Sequence, residues 1–173
     1  MNKPRKGTSP LALAIESLPV RGRMGVVLMM ADLALERLES SPDFQFAGTA
    51  FDLCRRWYDG ERFDTDRFEE AYADDDGGGL VCGAGNARSQ SELAAWGVLA
   101  SAIMYIAFQA YREVGSQPTP ILSAVEEDEL DELYRQMQAN SPIFMDTAIR
   151  AAEFFRQGQD ASFAQLKTIL SAK

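Results

Sequence analysis

The chain has 173 residues, 46% of them hydrophobic, which suits one folded domain with a full core better than two domains. It contains no histidine, so histidine general bases, histidine-containing nucleophilic triads and histidine metal ligands are all excluded. Its formal charge of -9 repels phosphate backbones and anionic lipid, so neither nucleic acid nor a membrane is expected as a direct partner.

The beginning of the chain differs from the rest in charge. Residues 1–9 hold three basic side chains and almost no apolar ones, which predicts a flexible basic tail. Residues 10–173 are expected to form a single all-helical domain. Ser9 followed by Pro10 suits the start of a short first helix, which ends before Pro19.

Four segments follow up to residue 85. Apolar side chains recur at three- and four-residue steps over 24–40 and again over 44–58, so each segment predicts an amphipathic helix. A weaker helix is expected over 64–72. Residues 74–85 hold three consecutive acids and five glycines, a composition that predicts a long polar loop.

The strongest element spans 91–114, where apolar side chains cover nearly the whole circumference, as expected of a helix surrounded by others. Further helices are predicted over 127–138, over 142–157, and from Asp160 onward. Strand-like alternation and internal repeats are absent. We therefore expect an all-α fold, a single-domain multi-helix bundle of about seven to eight helices around the central apolar helix.

The apolar run and the cysteines bear on location. The longest apolar run, 93–108, is 16 residues, short of the roughly 20 that a membrane span needs, so it predicts a core helix. Charged residues and Pro19 interrupt the early segment, which does not resemble a secretory signal. Cys54 and Cys82 are too few for a disulfide framework, so a reduced cytoplasmic protein is expected. Cys54 falls on the apolar stripe of its helix, so we expect it to be buried.

Two glycine-containing motifs were weighed as ligand sites. Residues 80–88 contain two glycines of a dinucleotide-binding turn, but Arg88 occupies the third position and no alternating βα pattern surrounds them. In the calcium-loop alignment of Asp74-Asp75-Asp76-Gly77, Tyr72 takes the first ligand position and Gly83 the closing one. No cofactor and no specific metal site are therefore expected, although weak cation binding to the acidic loop stays open.

Carboxylates at three-residue steps raise an enzymatic alternative. Glu126 and Glu129 form an ExxE pair, the type with which all-helical nucleotide pyrophosphohydrolases hold magnesium opposite a second acidic pair. Glu36 with Glu39, or Asp66 with Glu69, are the candidates for that second pair. Acids also favour helix N-termini because of the helix dipole, and that explanation needs no metal.

The segment 59–76 holds nine acids against two arginines, with aromatic residues interleaved. A solvated helix with its aromatic side chains in the core explains this pattern, and so does a contact surface in which aromatic anchors are framed by charge. The second interpretation, extended to the acids at 126–132, gives these candidate partner-binding residues: Trp57, Tyr58, Asp59, Glu61, Phe63, Asp64, Asp66, Glu69, Glu70, Asp74, Asp75, Asp76, Glu126, Glu127, Asp128 and Glu129.

The stretch 95–133 resembles bacterial polymorphic-toxin immunity proteins, in particular the all-helical immunity family six. The resembling features are AIMY at 102–105, AY at 110–111, a proline connector, and VEEDEL at 125–130. The order of helices upstream is compatible with the same family.

The resemblance implies a bacterial cytoplasmic protein, not an enzyme, that binds the C-terminal domain of a cognate toxin and neutralises it. We expect its acids to occlude a basic active-site or substrate cleft, with Trp57, Tyr58 and Phe63 as anchors. Two alternatives stay open at this point: the magnesium-dependent pyrophosphohydrolase and a helical adaptor protein.

Overall fold

The computed structural model describes residues 10–72, 79–118 and 142–171, and these ranges contain α-helices and no strand. This confirms the all-α prediction. Eight helices are described: α1 (Pro10–Glu16), α2 (Val20–Arg37), α3 (Phe44–Tyr58), α4 (Asp66–Tyr72), α5 (Gly79–Gly85), α6 (Gln90–Val114), α7 (Pro142–Arg156) and α8 (Phe163–Ser171). The predicted basic tail and the helix predicted over 127–138 lie outside the described residues.

The core is organised around α2 and α6, which pack against each other. Helix α2 also contacts α1, α3, α7 and α8, while α6 contacts α3, α4 and α5. Every residue from Met24 to Ala31 is buried, so α2 is as enclosed as α6 is. The helix predicted to be central, 91–114, therefore shares the centre of the bundle with α2.

Helix α2 begins at Val20, four residues earlier than predicted, and the Pro19 carbonyl accepts a hydrogen bond of its first turn from the Arg23 amide at 3.0 Å. Gly25 lets α7 approach: a Cβ at this position would lie 2.4 Å from Cζ of Phe155. The absence of a side chain at Gly25 thus leaves room for the Phe155 ring against the backbone of α2.

Helix α6 has defined ends. The Ser89 hydroxyl accepts a hydrogen bond from the Glu92 amide at 3.1 Å, and Gly115 closes the other end with a φ of 72°. By length and composition α6 alone among the described helices could cross a membrane, but 67% of its most apolar window is buried inside the fold. That burial is typical of a core helix, as predicted.

The loop predicted over 74–85 is wrong for its second half, since α5 is a helix whose Leu80 is 1% exposed. The physical reason is close packing on α6. A Cβ added to Gly83 would lie 2.4 Å from Cη2 of Trp96, so the glycine provides space for an indole rather than flexibility. Residues 74–78 lie outside the described ranges.

The last helix begins at Phe163, three residues later than predicted, and is fixed to α2 and α3 by polar contacts. Lys167 Nζ lies 2.6 Å from Oδ2 of the buried Asp32. Cys54, in α3, is fully buried as predicted, and burial raises the pKa of its thiol well above its usual value.

Candidate functional site

The acidic side chains of the predicted contact surface lie at the end of α3, in the connection 59–65, and on α4. We call the described members of this set the acidic face: Asp59, Glu61, Asp64, Asp66, Glu69 and Glu70. All of them are exposed except Glu69, which is half-buried. The remaining acidic candidates, at 74–76 and 126–129, lie outside the described residues.

Asp59 is occupied with holding the fold together. Its Oδ1 accepts a hydrogen bond of 2.7 Å from the backbone amide of Phe163, the first residue of α8. Its Oδ2 lies 3.6 Å from Nη1 of Arg55. A carboxylate at a helix N-terminus satisfies an amide that has no partner within that helix. Asp59 therefore links α3 to α8, a role that the sequence did not indicate.

Glu61 forms a two-point ion pair with Arg56, in which Arg56 Nε donates to Glu61 Oε2 at 2.7 Å and Nη2 donates to Oε1. The hydrogen bonds from this guanidinium lower the pKa of Glu61. The charge of Glu61 is thus offset locally.

The aromatic candidates are mostly in the core. Trp57 and Tyr58 are each 1% exposed, so the expectation that they project toward a partner does not fit their burial. Both side chains fall on the apolar face of α3 and fill space between helices. The Trp57 ring packs edge-on against Phe63 at 5.3 Å and Phe68 at 5.9 Å between ring centroids. Phe63 is half-buried and retains some accessible surface.

Two further acids fix α4 in place. Asp64 Oδ1 accepts from the Asp66 amide at 3.2 Å, which is why α4 begins two residues later than predicted. Asp66 Oδ1 accepts a hydrogen bond of 2.9 Å from the Tyr111 hydroxyl on α6. Burial, together with this bond, raises the pKa of Tyr111.

Arg62, on this side of the molecule, makes contacts that the sequence pattern did not indicate. Arg62 Nη1 donates to the Trp57 carbonyl at 2.9 Å, and its Nη2 lies 2.5 Å from Glu113 Oε1. The second oxygen of Glu113 accepts from Trp57 Nε1 at 3.0 Å. A separation of 51 residues hid the pair of Arg62 and Glu113 from inspection of the sequence.

Among the described residues of the acidic face, the acids other than Asp59 and Glu61 are concentrated around α4. Asp64, Asp66, Glu69 and Glu70 share the segment 64–70 with one cation, Arg67. We call these four side chains the α4 carboxylates. The guanidinium of Arg67 lies 5.3 Å from the Phe63 ring centroid, within range of a cation–π contact.

The magnesium alternative can be placed only in part. Glu126 and Glu129 lie outside the described residues. Glu36 Oε1 lies 3.6 Å from Lys167 Nζ, and Asp66 accepts from Tyr111. Within 10–72, 79–118 and 142–171 no group of three or more acidic or cysteine side chains is positioned to hold a metal ion.

Comparison with known proteins gives one family. A family model described as Immunity protein Imm6 matches residues 22–140, well over half of the chain. The match runs from the first turn of α2 past the end of α6, and it includes the whole acidic face. No curated protein and no solved structure matches the chain.

Proposed function

Because the chain belongs to the Imm6 family of bacterial toxin immunity proteins, we propose that it binds its cognate toxin directly and blocks it with the α4 carboxylates. The partner is the C-terminal domain of the toxin, and the encounter takes place in the bacterial cytoplasm. The protein acts by occupying a surface of the toxin rather than by catalysing a reaction.

The observation that carries this proposal is a concentrated negative charge on a fixed helix. Helix α4 packs against α3, α5 and α6, and its Phe68 is 1% exposed. The bond from Tyr111 to Asp66 fixes the helix further. Charges held in one geometry lose little side-chain freedom on binding, so they suit recognition of a rigid partner.

The charge matches a basic cleft, such as one that binds phosphate groups in a nuclease. The α4 carboxylates take the place of those phosphates and exclude the substrate. Charge complementarity of this kind mainly raises the association rate and sets specificity, while buried contacts supply much of the affinity. Phe63, the one aromatic candidate with accessible surface, is the expected apolar contact beside the charges.

The test removes charge without changing shape. The variant Asp64→Asn, Asp66→Asn, Glu69→Gln, Glu70→Gln keeps the acceptor oxygens that cap α4 and bind Tyr111. With the toxin domain as partner, we expect the association rate at low salt to fall about tenfold or more, and its salt dependence to flatten. Stopped-flow or surface-based kinetics over a range of ionic strength measures both quantities.

A matched control neutralises four other carboxylates: Glu36, Glu39, Asp146 and Glu153. These lie on α7 and around the end of α2, and neither α2 nor α7 is among the elements that pack on α4. The control loses the same net charge from a different part of the surface. Equal rates for the two variants would refute the assignment of the contact to α4.

A further inference from the structure

A cleft of about 430 Å³ opens beside the acidic face, between the start of α2 and the ends of α3 and α6. Its size falls within the range of roughly 300 to 1,000 Å³ that is common for binding pockets. Trp57 and Tyr58 form part of its base together with Met24. Two residues predicted as partner anchors thus line a concave site instead of projecting from the surface.

One wall of the cleft is fixed by Arg21. Its Nε donates to Asp160 Oδ1 at 2.7 Å, its Nη1 donates to the Tyr58 carbonyl at 2.5 Å, and its guanidinium lies 4.4 Å from the Tyr58 ring centroid. The Tyr58 hydroxyl in turn donates to the Ala161 carbonyl at 3.1 Å. This wall is therefore held by three separate parts of the chain.

The opposite wall is fixed by the contacts of Arg62 and Glu113 described above. Both oxygens of Glu113 are engaged, one by Arg62 and the other by the indole of Trp57. Arg62 also lies over the Trp57 ring at 4.6 Å. A partner that enters the cleft meets walls that are already ordered.

Two polar side chains that line the cleft are uncommitted. Arg112 is exposed and lies 5.7 Å from the Phe108 ring centroid, but it makes no hydrogen bond or ion pair with the described part of the chain. Gln109, about one helical turn before it, is only 7% exposed, and its carboxamide likewise makes no hydrogen bond to a described residue. Both side chains carry N–H donors at the cleft, so they suit a ligand that supplies hydrogen-bond acceptors.

The charge of the cleft is opposite to that of the protein. Of the described residues that line it, three are arginines (Arg21, Arg62 and Arg112) and one is an acid (Glu113), in a chain of net charge -9. Guanidinium groups recognise carboxylates through two parallel hydrogen bonds. Within the described ranges Arg21 and Arg62 have carboxylate partners and Arg112 has none, so Arg112 is the group that can receive another.

We propose that this cleft receives an aspartate or glutamate side chain that projects from the toxin. The carboxylate pairs with Arg112, the Gln109 amide donates to the same group or to the adjacent backbone carbonyl, and the methylene groups pack against Met24 and Val20. The inference rests on the proposed function, because it adds a second contact of opposite charge to the same complex.

The decisive experiment measures the affinity of the purified toxin C-terminal domain for Arg112→Glu, Arg112→Lys and Gln109→Met. We expect Arg112→Glu to weaken binding on the order of 100-fold, mainly through faster dissociation, and the other two to weaken it about tenfold. Arg156→Glu, on the last turn of α7 and outside the cleft, is the matched control.

The direction of the effect separates the cleft from general electrostatics. An acidic protein that approaches a basic toxin should associate faster when negative charge is added, so Arg156→Glu should bind as well as the unaltered protein or better. If Arg112→Glu binds more weakly and Arg156→Glu does not, the result supports a contact of the toxin with the cleft. If a toxin acid is then found whose substitution by alanine removes the sensitivity to Arg112→Glu, a double-mutant cycle identifies the pair.

The failures can be told apart. If the unaltered protein binds the toxin domain and all three cleft variants bind it equally well, this inference is wrong and the proposed function stands. Absence of any binding by the unaltered protein overturns both. Inorganic phosphate serves as a second probe: if it raises the melting temperature in an Arg112-dependent way while toxin affinity stays unchanged in Arg112→Glu, the cleft binds a free anion and the inference is wrong.

Discussion

Tyr58 connects three parts of the fold through one side chain. Its ring is stacked by Arg21, its hydroxyl donates to the Ala161 carbonyl, and only 1% of the residue is exposed. Burial raises the pKa of Tyr58 to about 12. The folded protein therefore holds this proton more tightly than the unfolded chain does, in which tyrosine titrates near its usual value of about 10.

This difference predicts a loss of stability in alkali. Below about pH 10 both states carry the proton and the contribution of Tyr58 is fully present. Between pH 10 and 12 only the unfolded state releases it, so the free energy of unfolding falls by up to about 1.4 kcal/mol per pH unit. In Tyr58→Phe we expect a shallower fall, measured by urea unfolding at pH 8, 10 and 11.

The same variant removes the closer of the two donors to the Ala161 carbonyl, the other being Arg21 Nη2 at 3.5 Å, so at pH 8 it should be less stable by about 1 kcal/mol. The difference in the free energy of unfolding between the parent and Tyr58→Phe should then become smaller as pH rises from 10 to 11. A parallel decline of the two proteins between pH 10 and 11 would show that Tyr58 ionises with an ordinary pKa.

Single residues also mark the limit of prediction from sequence. The burial of Cys54 follows from its place on the apolar stripe of α3, and the structure confirms it. The same stripe carries Trp57 and Tyr58, yet their aromatic character beside many acids suggested exposed anchors. Their polar atoms find partners at Glu113 and Ala161, more than 50 residues away in sequence, and no local pattern reveals such contacts.

At the scale of elements, long helices with defined ends were predictable and α5 was not. The helices predicted over 44–58 and 91–114 agree closely with α3 and α6. Each is defined by an apolar stripe of several turns and by a capping residue or a glycine at its end. Helix α5 has seven residues, three of them glycine, and its stability comes from packing on Trp96. Sequence propensity alone favours a loop there.

The same substitution should have opposite effects in α5 and α3. Gly83→Ala places a methyl group 2.4 Å from the Trp96 ring, so we expect a loss of about 1 to 3 kcal/mol from forced repacking. Gly48→Ala lies in a helix interior with no atom within 4 Å of the new Cβ, so a gain of roughly 0.5 to 1 kcal/mol is expected. Chemical denaturation of both variants measures the difference.

The pair of variants controls for helix propensity, which favours alanine in both helices. If Gly83→Ala proved as stabilising as Gly48→Ala, α5 would not pack against Trp96 as described. A destabilised Gly48→Ala would instead show that this position of α3 is less open than its surroundings indicate.

On the scale of the whole molecule, two surfaces of opposite charge lie side by side. Arg62 belongs to the segment that joins α3 to α4 and also lines the cleft, so it marks the border between them. One partner can therefore cover both surfaces at once. A combination of acidic and basic contacts specifies orientation better than a uniform charge does, because a rotated partner meets like charges.

The overall composition predicted the acidic character, the spacing of apolar side chains predicted the helical class, and the family match confirms the resemblance to immunity proteins. The sequence did not indicate which of the acids are paired with other groups in the fold. Sequence counting treats the acids of 59–76 as one cluster, but Asp59 and Glu61 are paired within the fold, and the other acids in the described part of that segment lie at 64–70. Which charges remain available is decided by tertiary pairing, which a linear count omits.

The most direct test of the central claim titrates the activity of the toxin domain with this protein and with the four-site variant of the α4 carboxylates. We predict that the unaltered protein abolishes toxin activity at a one-to-one ratio, and that the variant needs a clear excess at physiological salt. Full toxin activity in the presence of saturating unaltered protein would contradict the account.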